Sequence, residues 1–422
     1  GAQQWGYFMR NKLELLDAPG EWYLDRAADQ LYLWCPGNAN PNNHLVEASV
    51  REFGMYVGWQ RQHIKVEGIR FTHQHAAGLR LAGTSGIEAG HCDFSDVGQA
   101  IYSTGNNASF HHLDIQHTYL SGVYLIDNNT SFTHSTLRDI AMVPGHGEQN
   151  IGYCGIRMGG TGVVIADNRL ETIGWSGIAV SSNALVERNV VIQSMALLND
   201  GAGITFDNTD GAIIRNNIIR DMQGNLESCA LNHYNSVPQC HGIYFGNISN
   251  KNVLVEGNTV MNCNGAGIHV DHTMVLSGVR VENNVLWNNQ VQLSISDYSN
   301  YNGPGAAPPY YVPAFNTIYS GNVMYSLSKD QLCMRQYHVY GQQWVDFGTF
   351  SNNRYFSPYN DRSIYIRRDA TGTHRTFTLE RWQAEMNEDA GSTRSPLYLP
   401  SMDLVQVLAP SGIANGSFSA NV

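Results

Sequence analysis

The chain has 422 residues, of which only 14% are charged, with 42 glycines and a net charge of −11. That balance weighs against nucleic acid and strongly anionic polymers as partners, although a local basic patch remains compatible with it. No run of about 18 apolar residues occurs, which argues against a membrane-spanning helix.

The opening residues GAQQWGY lack the basic and apolar pattern of a signal peptide, so any targeting segment is expected to have been removed. Next come two alternating runs, Trp22 to Asp25 and Leu31 to Trp34, which predict a β-hairpin closed by the five residues RAADQ. Residues 1–62 are expected to form an N-terminal cap that covers the first exposed strand edge of the chain beyond them.

From His63 onward one phrase recurs, a small residue followed by alternating apolar and variable positions. Its clearest copies are SGVYLID (Ser121 to Asp127), GAGITFD (Gly201 to Asp207), HGIYFGN (His241 to Asn247) and GAGIHVD (Gly265 to Asp271). Taking the residue before the first apolar one as an anchor gives Gly78, Ala100, Gly122, Gly155, Gly177, Gly203, Gly242 and Gly267. The unit is 22 residues, seen from Gly78 to Ala100 to Gly122 and again from Gly155 to Gly177, and longer where segments are inserted. Such a period marks a solenoid.

A second apolar strand follows each phrase, as in VLVEGNTV (Val253 to Val260), and inside it Asn returns at Asn168, Asn189, Asn217, Asn258, Asn284, Asn322 and Asn353. One Asn per coil predicts a column of stacked amides at a bend where Asn tolerates left-handed geometry. Insertions at Val143 to Tyr153, Ala196 to Gly201 and Gln223 to Gln239 all precede a first-type strand, so they gather at one corner and wall a working face.

Residues 63–360 are therefore expected to form an all-β, single-stranded, right-handed parallel β-helix, the hand following from right-handed crossovers. Residues 361–422 are expected to form a C-terminal cap and tail, with a short helix in FTLERWQAEMNEDA capped by Thr378 and carrying Leu379, Trp382 and Met386 on one face. Cys92, Cys154 and Cys263 are expected as buried small apolar residues, and Cys229 and Cys240 lie close enough to staple the longest insertion.

The hairpin GEWYLD with LYLW, the recurring coil phrases and the FTLERWQAE helix together resemble secreted bacterial β-helix proteins of polysaccharide degradation. Within that group, NDGAGITFD followed by HGIYFGN is similar to the paired motifs of family 141 glycoside hydrolases, which act on fucosides and xylans. The resemblance implies a secreted or cell-surface protein, extracellular or periplasmic. It matches Asp200, Gly201, Gly203 and Ile204 to the first motif, with Thr205 in the place of a Tyr. It departs at Gly246 and Asn247, where the second motif carries acids.

Side chains alternate along a strand, so each phrase presents two outward rows. The first reads Arg80, Tyr102, Tyr124, Arg157, Ala179, Thr205, Tyr244 and His269, a face whose aromatic and hydrogen-bonding groups suit sugars. The second row carries Asp207 and Asp271 on either side of Gly246. Their backbones, two coils apart, should stand roughly 10 Å from one another. Side-chain tilt then brings the carboxyls near the roughly 6.5 to 9.5 Å of an inverting glycosidase, with Gly246 leaving room for substrate.

The candidate catalytic acids are Asp207, Asp271 and Asp200. The candidate sugar contacts are Arg157, Tyr124, Tyr244, His269, His272 and Thr205, with His146, Glu148, His233 and Tyr234 from the insertions. The leading expectation is a glycoside hydrolase acting on a plant, algal or microbial polysaccharide or oligosaccharide. A lyase or epimerase using Arg157, Tyr244 and His269 is the alternative, and a non-catalytic carbohydrate-binding solenoid is a further one. No cofactor is expected; calcium could bind the clustered Asp and Asn side chains, yet no EF-hand or Gly-Gly-x-Gly-x-Asp array is present.

Overall fold

The computed structural model describes residues 9–147, 150–226, 238–246, 250–271, 278–300, 310–312, 316–338, 346–368 and 371–394. The repeat winds into a solenoid with three sheets: a 14-stranded front sheet and two 11-stranded sheets behind it. Neighbouring coils pair in parallel throughout, from Phe53–Val57 against Ala77–Ser85 to Leu332–His338 against Ile364–Arg368. A parallel sheet with an apolar interior needs continuous columns of inward residues. The chain supplies them in Leu79, Ile101, Val123, Ile156, Ile178, Ile204, Ile243 and Ile268, all buried. Each such side chain contributes about 1.5–3 kcal/mol by burial.

The anchor glycines answer to close packing. A Cβ at Gly177 would lie 2.6 Å from both the Gly203 carbonyl oxygen and Val191 Cγ1, so the front strand can approach the third sheet only without a side chain there. The interior is thin at this corner, and glycine is what makes the coil close.

The amide column forms as expected. Asn168 donates to Asn189 at 3.0 Å, Asn189 to Asn217 at 3.0 Å, Asn217 to Asn258 at 2.9 Å, and so on to Asn322 and Asn353 at 3.2 Å. Asn353 then donates to Asp389 Oδ1 at 3.0 Å, which ends the ladder on the C-terminal cap. One detail differs from expectation. The left-handed residue is the one before each ladder Asn, such as Asp167, Arg188 and Asn216, because the ladder amide must point inward while its predecessor makes the bend.

At the N-terminal end the hairpin pairs Trp22–Asp25 with Gln30–Leu33, one residue earlier than predicted. The Asp25 carboxylate accepts from the Ala27 and Ala28 amides and Asp29 turns left-handed, which closes a four-residue loop. At the other end Thr373–Phe377 pairs antiparallel with Ile364–Arg368 and leads into a helix over Leu379–Met386. The Thr378 hydroxyl accepts from the Arg381 amide, and Trp382 packs edge-on against Phe350 and Phe377.

Among the described residues no helix is long and apolar enough to cross a membrane. Cys92, Cys154 and Cys263 are buried free thiols. Cys240 is also a free, buried thiol, donating to the Met222 carbonyl at 3.4 Å, while Cys229 lies outside the described residues.

Candidate functional site

Strand register fixes the outward row of the front sheet residue by residue. Arg80 pairs with Tyr102, Tyr102 with Tyr124, Tyr124 with Arg157, Arg157 with Ala179, Ala179 with Thr205, Thr205 with Tyr244 and Tyr244 with His269. Beyond the predicted row the register continues through Ser294, Arg335 and Tyr365.

The N-terminal half of this row closes on itself. Arg80 lies 3.9 Å over Tyr102, Tyr102 stacks on Tyr124 at 5.3 Å and Arg157 lies 4.0 Å over Tyr124. Planar groups one coil apart are brought by the coil spacing of about 4.8 Å into offset stacking range. Both faces of Tyr124, expected to meet sugar, are thus covered by Tyr102 and Arg157, and Arg157 gives one of its own faces to Tyr124.

The C-terminal half is different in kind. His269 stacks on Tyr244 at 5.4 Å and lies 4.6 Å from the buried His241. Asp271 gathers these groups: Tyr244 OH donates to its Oδ2 at 3.2 Å, Ser296 Oγ donates to its Oδ1, and His269 Nε2 stands 3.7 Å from Oδ1. The other ring nitrogen of His269 faces the Ser294 carbonyl at 3.3 Å. His241 accepts from the Ala266 amide at Nδ1, which puts its proton on Nε2, and that buried nitrogen has no hydrogen-bond partner among the described residues.

Electrostatics follow from this crowding. Burial raises the Tyr244 pKa well above the usual phenol value, and the negative charges of Asp271, Asp200 and Asp207 raise it further, so Tyr244 is a neutral proton donor. Burial holds His241 well below the usual imidazole value, helped by His269 and Arg335. Asp200 has an exposed surface, yet protein crowds its carboxyl, and that crowding, followed by the Asp271 charge, raises its pKa.

Arg335 completes the group. Its guanidinium donates to Ser294 Oγ at 3.3 and 3.1 Å and lies 4.6 Å over Tyr337. Burial lowers its pKa, and among the described residues no carboxylate lies within ion-pair distance of it. A cation desolvated without an anionic partner is costly unless a ligand supplies the anion.

The structure brings Asp200, Asp207, Tyr244, His269 and Asp271 into electrostatic reach of one another. The space over Gly246 is not left for substrate: the Asp207 carboxylate itself leans across it, into the place a Cβ would occupy. On its other side Asp207 ends a shallow groove of about 460 Å³, lined by Gly159, Thr161, Ser181 and Asn208 among others.

Thr205 sits in the row one coil before Tyr244 but is buried. His146 is exposed on the first insertion and packs 5.5 Å from Tyr119. Glu148, His233, Tyr234 and His272 lie outside the described residues. Sequence reasoning missed Ser294, Ser296 and Arg335 because their coils lack the glycine anchor. Gln292 and Cys333 stand in its place, Gln292 folding inward to bond Asn289 at 3.0 Å. His241 was in view within HGIYFGN, but its position before the anchor hid its part in the cluster.

Residues 53–219 and 121–303 match the family model described as "Right handed beta helix region", which spans more than half of the chain. No curated protein sequence matches it. Among solved structures it is similar to the A-module of a mannuronan C-5 epimerase from Azotobacter vinelandii, at 13% identity and a TM-score of 0.43, covering 80% of this chain and 91% of that one. A tailspike protein of E. coli bacteriophage HK620, in complex with a hexasaccharide, shares 14% identity at a TM-score of 0.41, covering 81% of this chain and 60% of the tailspike. An alginate lyase from a Paenibacillus species shares 12% at 0.36, covering 64% and 85%. At these identities the likeness is one of fold.

Proposed function

We propose, for a chain that belongs to the right-handed β-helix family, that it acts outside the cell on a polysaccharide containing uronate sugars, as a lyase or epimerase that moves the proton next to the sugar carboxylate. The observation that carries this reading is the Tyr244 and His269 pair, sharing Asp271, in a row that continues to Arg335, which among the described residues has no carboxylate within ion-pair distance.

The chemistry has three parts. Arg335 would hold the sugar carboxylate and offset its charge, which makes the adjacent carbon acid stronger. His269 would take the proton, with Asp271 orienting and balancing the ring. Tyr244, kept as a phenol by burial, would give a proton to the departing glycosidic oxygen. Both groups rise from one sheet on adjacent coils and so reach one face of a sugar ring, which suits elimination; epimerisation needs a proton returned from the opposite face. The net charge of −11 weighs against an anionic polymer, but Arg80, Arg157 and Arg335 make the row itself locally basic.

A second reading keeps the glycoside hydrolase expected from the family 141 resemblance. It is favoured by Asp200, whose pKa is raised beside Asp271, the pattern of an acid and a base pushed apart by their surroundings. Product analysis on a panel of uronate and neutral glycans separates the readings. A lyase gives an unsaturated product that absorbs in the ultraviolet. An epimerase takes up solvent deuterium without shortening the chain, and a hydrolase releases reducing ends that do not absorb. For the uronate reading, Arg335→Gln should raise KM roughly 10- to 100-fold with a smaller change in kcat, as expected for loss of a charged hydrogen bond worth about 1.5–3 kcal/mol. Unchanged KM in Arg335→Gln, or turnover confined to neutral glycans, rejects it.

A further inference from the structure

At the corner between the second and third sheets each coil turns through one left-handed residue, beginning with Gly68, His91, His112, His134, Asp167 and Arg188. Left-handed geometry accounts for Gly, Asn and Asp in such a column, and it tolerates His. Three histidines follow one another here with their rings stacked, His91 on His112 at 4.8 Å and His112 on His134 at 5.2 Å.

His111 is not explained by the column, since it precedes the bend and lies in the strand Ser109–His111. Its ring lies back over Gly90, where a Cβ would come within 2.9 Å of His111 Nδ1. Two contacts fix it there. Nε2 faces Glu88 Oε1 at 3.3 Å, and Nδ1 faces His112 Nδ1 at 3.1 Å. Glu88 is itself held by Lys65 at 3.1 Å. Nitrogen atoms of His91, His111 and His112 all lie within 4.8 Å of one another.

Two ring nitrogens pointing at each other share a proton or a cation. In a tetrahedral site with metal–nitrogen bonds of about 2.0–2.1 Å, ligand nitrogens stand about 3.3 Å apart. The His111–His112 pair is close to that at 3.1 Å, and the His91 nitrogen lies within 4.8 Å of both. A histidine ligand characteristically gives its second nitrogen to a carboxylate, as His111 does to Glu88.

We propose that His91, His111 and His112 form a binding site for a divalent transition-metal ion of the zinc class, with Glu88 positioning His111 and a fourth place left for water. The ion would bridge two successive coils, one carrying Glu88 and His91 and the next carrying His111 and His112. It sits at the corner behind the front sheet, so it acts as a staple on the early coils and takes no part in the chemistry proposed above.

The test uses the full chain stripped with a chelator and dialysed against Zn²⁺ or Co²⁺. One ion per chain should bind, Co²⁺ should show the visible absorption of a tetrahedral nitrogen site, and Zn²⁺ should raise the melting temperature. His111→Ala and, separately, the exposed His91→Gln should each weaken Zn²⁺ binding at least tenfold, and Glu88→Gln about 10- to 100-fold. His117→Ala, a surface histidine paired with Asp96 and Asp139, should leave it unchanged. Absence of stoichiometric binding by the unaltered chain overturns the proposal. So does binding that survives both His91→Gln and His111→Ala in variants whose melting curves show them folded.

Discussion

Three coils of the front sheet end in aspartate, and between two of them, Asp271 and Asp127, a single residue of offset gives the acids opposite lives. Asp271 stands four residues after its anchor Gly267 and points outward, into Ser296, Tyr244 and His269. Asp127 stands five residues after Gly122 and points inward, fully buried, with neither carboxyl oxygen hydrogen-bonded among the described residues. Burial pushes its pKa up to about 6; Ser103 lies beside it without forming a bond of ordinary geometry. Because the side-chain period is two, an odd offset changes the face. The same contrast runs through the row, whose early half spends its polar groups on stacking and whose later half gathers a phenol and a buried imidazole around a buried carboxylate, with a guanidinium two coils further on.

The largest effect should come from the outward cluster. Tyr244→Phe and His269→Ala should each lower kcat by about 10²–10⁴, the range for loss of a positioned acid or base. Tyr244→Phe gives up one hydrogen bond to Asp271 and should cost only about 1 kcal/mol of stability. Thermal unfolding beside steady-state rates distinguishes the two roles; equal loss of fold and turnover would make the cluster structural.

Next comes the inward acid. A carboxyl with a folded pKa of about 6 against 3.8 for the free group binds its proton more tightly when folded, so it imposes no penalty below about pH 4. The penalty grows between about pH 4 and 6 and is complete above, reaching at most about 3 kcal/mol at 1.36 kcal/mol per pKa unit. Asp127→Asn should therefore be more stable than the parent at pH 8 and gain little at pH 4. A melting temperature with the same pH slope in both chains would show that Asp127 finds a partner.

The smallest effect should come from the stack. Arg157→Ala removes the guanidinium from Tyr124 and should cost about 0.5–1 kcal/mol with activity within twofold of the parent. A tenfold fall in turnover would instead extend the site three coils toward the N-terminus and weaken the division of the row into two halves.

Much of this was legible because a parallel solenoid repeats its constraints. The 22-residue unit, the inward isoleucines, the Asn column and the order of the outward row from Arg80 to His269 follow from periodicity, since each coil must stack in register on the last. Asp271 and Tyr244 could be chosen from the strand phase alone. Where a coil lost its glycine anchor, as at Gln292 and Cys333, the phrase vanished and Ser296 and Arg335 went with it.

Local sequence thus determined which face each residue takes, because alternation along a strand is a property of the backbone. Only the tertiary structure decided what each face meets. It turned Tyr124 and Arg157 into partners of each other, because planar groups one coil apart attract across that spacing. It also laid Asp207 over Gly246, where a glycine leaves space that a neighbouring carboxylate can fill. And it gathered His91, His111 and His112, drawn from two coils, at a corner where backbone geometry alone accounts for only two of them.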